Sequence, residues 1–163
     1  MSEEDCNRVY AKTLFFFKSG LIGSAFVERE GSVAAPIPIR NLEGNVVSWF
    51  VPVIVLDRIA GFFQFTKDLE FLRYASFQKN MKVDDFPLAA SWIDLGTIQK
   101  KIAGLIRENE IASTPFLTYD GNISKIAWGI KITNSKGDQR VIYVAGDYVY
   151  PQRRTSKEIT GAS

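Results

Sequence analysis

Histidine is absent from the 163 residues. That absence excludes Ser-His-Asp and Cys-His catalysis, histidine-ligated zinc and imidazole acid–base chemistry. A single cysteine, Cys6, can form no internal disulfide and supports no thiolate metal cluster. Phosphate-binding loops of the form G-x-x-x-x-G-K-[ST], dinucleotide fingerprints and G-x-S-x-G elbows are also missing. Long apolar runs are lacking too. The stretches Thr13 to Phe17 and Val46 to Leu56 are too short or interrupted to cross a bilayer, which needs roughly 20 apolar residues, so no transmembrane segment is expected. Charge of one sign never accumulates. Twenty basic residues oppose eighteen acidic ones for a net +2, whereas nucleic-acid binders concentrate Lys and Arg on one face. Neither nucleic acid nor membrane is an expected partner, and Arg153, Arg154 and Lys157 read as a solvated tail. The opening MSEEDC is acidic where a secretory signal would be basic, so a cytoplasmic location is expected unless a leader has been removed.

What is present is the composition of a folding chain. Hydrophobic residues make up 46% and charged residues 23%, which excludes disorder as the default and allows one domain or two small ones sharing a sheet. Val9, Thr13, Phe16 and Phe17 recur at helical spacing and predict a helix over residues 5–29, bent or split by Gly20 and Gly23. Pro36 and Pro38 then enforce extended chain.

Val46 to Val55 alternates as a strand, with Val47, Trp49, Val51, Val53 and Val55 on one face. Its Pro52 lacks a donor and argues for an edge position or a bulge. Strands are expected at Ile59 to Phe65 and Leu69 to Phe77. A second helix is expected from Thr97 to Glu110, with Ile98, Ile102, Leu105 and Ile106 on one stripe, capped by Asp94 or Thr97. Strands at Phe116 to Tyr119, Lys125 to Thr133 and Arg140 to Val144 follow, and Asp147 to Tyr150 gives a fourth. The stripe should pack on Ile126, Trp128, Ile130 and Ile132.

The same order of elements occurs twice. Glu43-Gly44-Asn45 matches Asp120-Gly121-Asn122, Val51 and Val53 match Ile130 and Ile132, and Phe63 and Phe65 match Ile142 and Val144. Asp68 matches Asp147, and Ser24 to Arg29 sits against Ala103 to Glu108. The expected fold is therefore α+β, built of two tandem helix-plus-antiparallel-sheet units, PepSY/cystatin-like. Residues 1–78 form the first unit, 79–96 the connection, 97–151 the second unit and 152–163 a polar tail. Tyr119-Asp120-Gly121, Ala127-Trp128-Gly129-Ile130-Lys131-Ile132 and Val141 to Asp147 carry a resemblance to the PepSY-type modules of protease propeptides. The resemblance implies a non-catalytic module that docks on, or inhibits, a protease or another partner. Neither a secretion signal nor a following protease domain is expected, which would depart from that pattern.

Among acidic pairs, Asp84-Asp85 and Glu28-x-Glu30 read as solvated charge, and Asp68 and Asp147 as turn residues bonding nearby backbone. Cys6 has no nearby base and reads as a semi-buried thiol. No catalytic, cofactor or metal residue is assigned, and the expectation is a protein that is not an enzyme. Its function would be protein binding or regulation through a sheet face or edge, with homodimerisation as one form. The aromatic residues Trp49, Phe50, Phe62, Phe63, Trp92 and Trp128, with Tyr143, Tyr148 and Tyr150, are the candidate interaction surface. The alternative is a small-ligand pocket protein, or a histidine-independent enzyme using Asp, Lys or Tyr.

Overall fold

A computed structural model describes residues 3–77, 86–123 and 125–152. Helix α1 (Glu3–Phe17) opens on Glu3, Glu4 and Asp5, whose charge complements the positive end of the helix dipole, and it buries Val9, Thr13 and Phe17. The buried Thr13 hydroxyl donates to the Val9 carbonyl at 2.8 Å and so needs no outside partner. Gly20 and Gly23 take φ of +82° and +73°, a region that favours glycine, and divide the helix expected over 5–29. Helix α2 (Ala25–Glu30) restarts under Ser24, whose hydroxyl accepts from the Val27 amide.

The strands are β1 (Ser32–Val33), β2 (Ile37–Arg40), β3 (Val46–Val55), β4 (Arg58–Thr66) and β5 (Phe71–Ser76), then β6 (Ile111–Ala112), β7 (Phe116–Tyr119), β8 (Ile126–Thr133), β9 (Gln139–Ala145) and β10 (Tyr148–Pro151). Between β5 and β6 lie helices α3 (Ala90–Ile93) and α4 (Leu95–Ile102). The Asp94 carboxylate caps α4 by accepting from the Thr97 amide at 2.9 Å. All ten strands join one sheet with the main order β10-β9-β8-β7-β2-β3-β4-β5, β1 pairing β3 and β6 pairing β8. Among the described residues every pairing is antiparallel except the seam of β2 with β7, which is parallel and meets at Ile39 and Leu117. The fold is thus mixed α+β around a large, mostly antiparallel sheet, in keeping with the expected class.

Alternation distributes the apolar side chains to two faces. Trp49, Val51, Val53, Val55, Phe63 and Phe65 lie beneath α1 and α2 with Val9, Phe17 and Val27. The opposite face carries Phe50, Ile59 and Phe62, continuous across the seam with Leu117, Trp128, Ile130, Ile132 and Ile142 beneath Ile98 and Ile102 of α4. Helices therefore cover one face at one end of the sheet and the other face at the other end.

Several expectations are corrected. Pro52 is not at an edge, because β3 pairs on both sides. Its carbonyl accepts from Ala34, so its missing donor faces the break where β1, paired at Val53 and Ile54, gives way to β2, paired only up to Phe50. Val47 leaves the face of Trp49 and joins the opposite cluster, since a register shift between Ile39 and Arg40 places an extra residue in β3. The helix expected to run to Glu110 ends at Ile102 and tightens into a 3₁₀ turn at Ala103–Leu105. Leu105 is consequently 48% exposed, because the chain must come free to place β6 beside β8. For the same reason Ala103 to Glu108 is no helical counterpart of α2. The short strands β1, β2 and β6 and helix α3 have no counterpart in the sequence reading. Residues 79–85 of the expected connection and 153–163 of the polar tail lie outside the described residues.

Candidate functional site

The aromatic residues expected to form a surface are divided between the two cores. Trp49 and Phe63 are buried beneath α1 and α2, while Phe50, Phe62 and Trp128 are buried on the opposite face. Tyr143 is buried too, Trp92 and Tyr150 are half-exposed, and Tyr148 is exposed. The set does not make one interaction surface, because both faces of β3 and β4 are covered and alternation alone cannot tell a covered face from an open one.

Buried polar groups form a chain across the sheet. Arg73 Nε of β5 donates to Gln64 Oε1 at 2.8 Å, which fixes the amide so that Nε2 donates to the Tyr119 hydroxyl of β7 at 2.6 Å. That hydroxyl also shares a 2.5 Å hydrogen bond with Ser48 Oγ of β3. The chain links both sides of the seam. At the far end of the second core, Arg140 grips Glu110 with Nη2–Oε1 at 2.8 Å and Nε–Oε2 at 3.1 Å, and donates to the Leu105 carbonyl. These bonds, with the Arg107 amide, hold the Glu110 carboxyl down to about 2. Burial pushes the Tyr74 phenol up to about 12, and among the described residues its hydroxyl has no hydrogen-bond partner. A buried hydroxyl left unpaired costs stability, on the order of 1–3 kcal/mol.

Trp92 opens onto a cleft of about 600 Å³ whose walls include Phe77, Leu88, Tyr148, Arg58 and Asp147. Helix α3 places it there, and the wall is fixed from several sides. The Trp92 carbonyl accepts from Trp128 Nε1 at 2.6 Å, and its ring lies 5.1 Å from that of Phe77. A side chain at Gly146, where φ is +61°, would come within 3.2 Å of the indole nitrogen, so the close approach requires glycine. Lys101 Nζ donates to the Gly146 carbonyl at 2.6 Å and to that of Ser91 at 3.3 Å, with Asp147 at 4.0 Å. Arg58 donates to the Phe86 carbonyl at 2.8 Å. The rim is open, with the aromatic and aliphatic side chains of Tyr148 and Leu88 77% and 46% exposed beside the exposed Asp147 carboxylate. Sequence reasoning found Trp92 and Tyr148 but missed Leu88, Arg58 and Lys101, for which the local pattern holds no signal.

The remaining candidates are dispersed. Glu30 pairs with Arg29, and Glu28 is half-buried, with one carboxylate oxygen enclosed and without a hydrogen-bond partner among the described residues, rather than fully solvated. Asp68 lines a separate cleft beside α1, and Cys6 is half-buried near the Pro36 carbonyl. Asp84 and Asp85 lie outside the described residues. Among the described residues no three His, Cys, Asp or Glu side chains come together to hold a metal ion, and no helix is long and apolar enough to cross a membrane. Compared with protein-family models, with curated proteins and with solved structures, the chain shows no match.

Proposed function

We propose that the protein is a non-catalytic binding or regulatory module that engages a protein partner through the Trp92 cleft. The observation that carries this reading is the combination of a half-exposed Trp92 with exposed Tyr148 and Leu88 around one cleft that also holds Arg58. Trp, Tyr and Arg dominate the energetics of protein interfaces, because they bury large rigid area and keep a polar handle. The wall is preorganised by the Lys101 and Trp128 hydrogen bonds, which lowers the ordering cost of docking.

The tandem relation of two PepSY-like units belongs to the same proposal. It is supported by β1 joining β3 as β6 joins β8, and by β2-β3-β4-β5 following the same pairing order as β7-β8-β9-β10. Val51 stands opposite Phe63 where Ile130 stands opposite Ile142.

A photo-crosslinking residue at Tyr148 should join the protein to a polypeptide in its native extract, and one at the equally exposed Ile111 should not. Leu88→Asp should abolish the product without lowering the unfolding temperature. A product containing only this chain would identify a homodimer, and no product at Tyr148 would contradict the reading.

A further inference from the structure

We infer that the open end of the seam between β2 and β7 is a binding site for a small apolar carboxylate. The two central strands are paired only at Ile39 and Leu117. Pro36, Pro38 and Pro115 stand at their beginnings, and because proline has no N–H they cannot close this end with hydrogen bonds. The gap is a groove of about 300 Å³, walled by Ile37, Leu95, Phe116, Leu117 and Trp128. That is the low end of the range for small-ligand sites, with the apolar lining such sites share.

Charge complementarity selects the ligand. Arg40 is the sole charged side chain of the lining. Its Nη1 donates to the Gly44 carbonyl at 2.8 Å, which anchors the guanidinium while leaving Nε and Nη2 to meet a carboxylate in the two-point geometry that arginine favours. The flanking Asp94 carboxylate is already engaged by the Thr97 amide and hydroxyl at 2.9 and 2.6 Å. On the other side, Lys131 lies 5.7 Å over the Phe116 ring and donates to the Leu42 carbonyl, adding positive potential. An alkyl or aryl acid would bury its apolar body against Trp128 and Leu117 and leave its charge at Arg40. This site is separate from the Trp92 cleft and does not depend on the protein-binding reading.

Titration calorimetry of the full chain with decanoate and with decanol tests it. Decanoate should bind saturably below the concentration at which it self-associates, and more tightly than decanol. Arg40→Gln should weaken decanoate by about tenfold, the loss expected for a charged hydrogen-bonded pair, and leave decanol unchanged. Leu95→Trp, at a rim position already 40% exposed, should fill the groove and remove both. Absence of saturable decanoate binding, equal weakening of both ligands by Arg40→Gln, or undiminished binding to Leu95→Trp would each overturn the inference.

Discussion

Trp49 and Trp128 occupy matching places in the strand ladder, opposite Phe65 and Val144, yet they are buried on opposite faces and by different means. Trp49 lies in a cluster whose members all come from residues 9–86, beneath the fifteen-residue α1 and the capped α2. Trp128 is covered by the shorter α3 and α4, and its indole nitrogen needs the Trp92 carbonyl as acceptor. Helix α4 buries only Ile98 and Ile102, so the second core is completed by Phe50, Ile59 and Phe62 from the reverse side of the first strands. One core is self-contained and the other is borrowed across the seam. A parallel β2–β7 contact makes this arrangement work by carrying the sheet onward while the helices change sides.

The largest effect should come from Ile102→Asp. It removes a side chain that is 2% exposed and places a carboxylate in a shared core, a loss on the order of 4 kcal/mol or more. Because Phe50 and Phe62 belong to the same cluster, the whole chain should lose structure in one step, followed by circular dichroism and tryptophan fluorescence together. A second, surviving transition from the first strands would show that they do not depend on the core they lend across the seam.

The contrast between the two cores was only partly open to the sequence. Alternation at Val46 to Val55 and Lys125 to Thr133 located the long strands, because a period of two survives any environment that buries at least one face. It could not reveal that Val47 changes sides, since the bulge opposite Arg40 is a property of pairing. Periodicity continued through Leu105 and Ile106 although the helix stops at Ile102, because the residues beyond it are needed to lead into β6. The seam left no local signal at all, being a contact between four-residue strands distant in sequence. The interaction surface was legible only in part for a related reason, as aromatic content cannot say which faces other elements cover, and of the residues named only Trp92, Tyr148 and Tyr150 are accessible.

Smaller effects sharpen the picture of the seam and of the second core. Tyr119→Phe deletes the hydroxyl between Ser48 and Gln64 and leaves the buried Gln64 amide without its acceptor. Urea denaturation should show a loss of roughly 1–3 kcal/mol, and an unchanged midpoint would mean that the polar chain does not hold the seam.

The smallest effect concerns the Glu110–Arg140 pair, which closes the second core from outside. The folded-state carboxyl is held down to about 2, against an ordinary value of 4.5. Its contribution is therefore present above the ordinary value and lost as pH falls from there toward about 2. Urea midpoints measured between pH 7 and pH 2 should decline less steeply for Glu110→Gln than for the parent, and identical slopes would remove the pair from the account.

The placement of the two indoles on opposite faces of one continuous sheet is most directly tested by nuclear Overhauser contacts in a methyl- and aromatic-labelled sample. The Trp128 indole should contact the methyls of Ile98 and Ile102, the Trp49 indole those of Val9 or Val27, and the backbones of Ile39 and Leu117 should show parallel-strand contacts. Trp49 and Trp128 contacting the same helix, or no contact between Ile39 and Leu117, would contradict the structure at its centre.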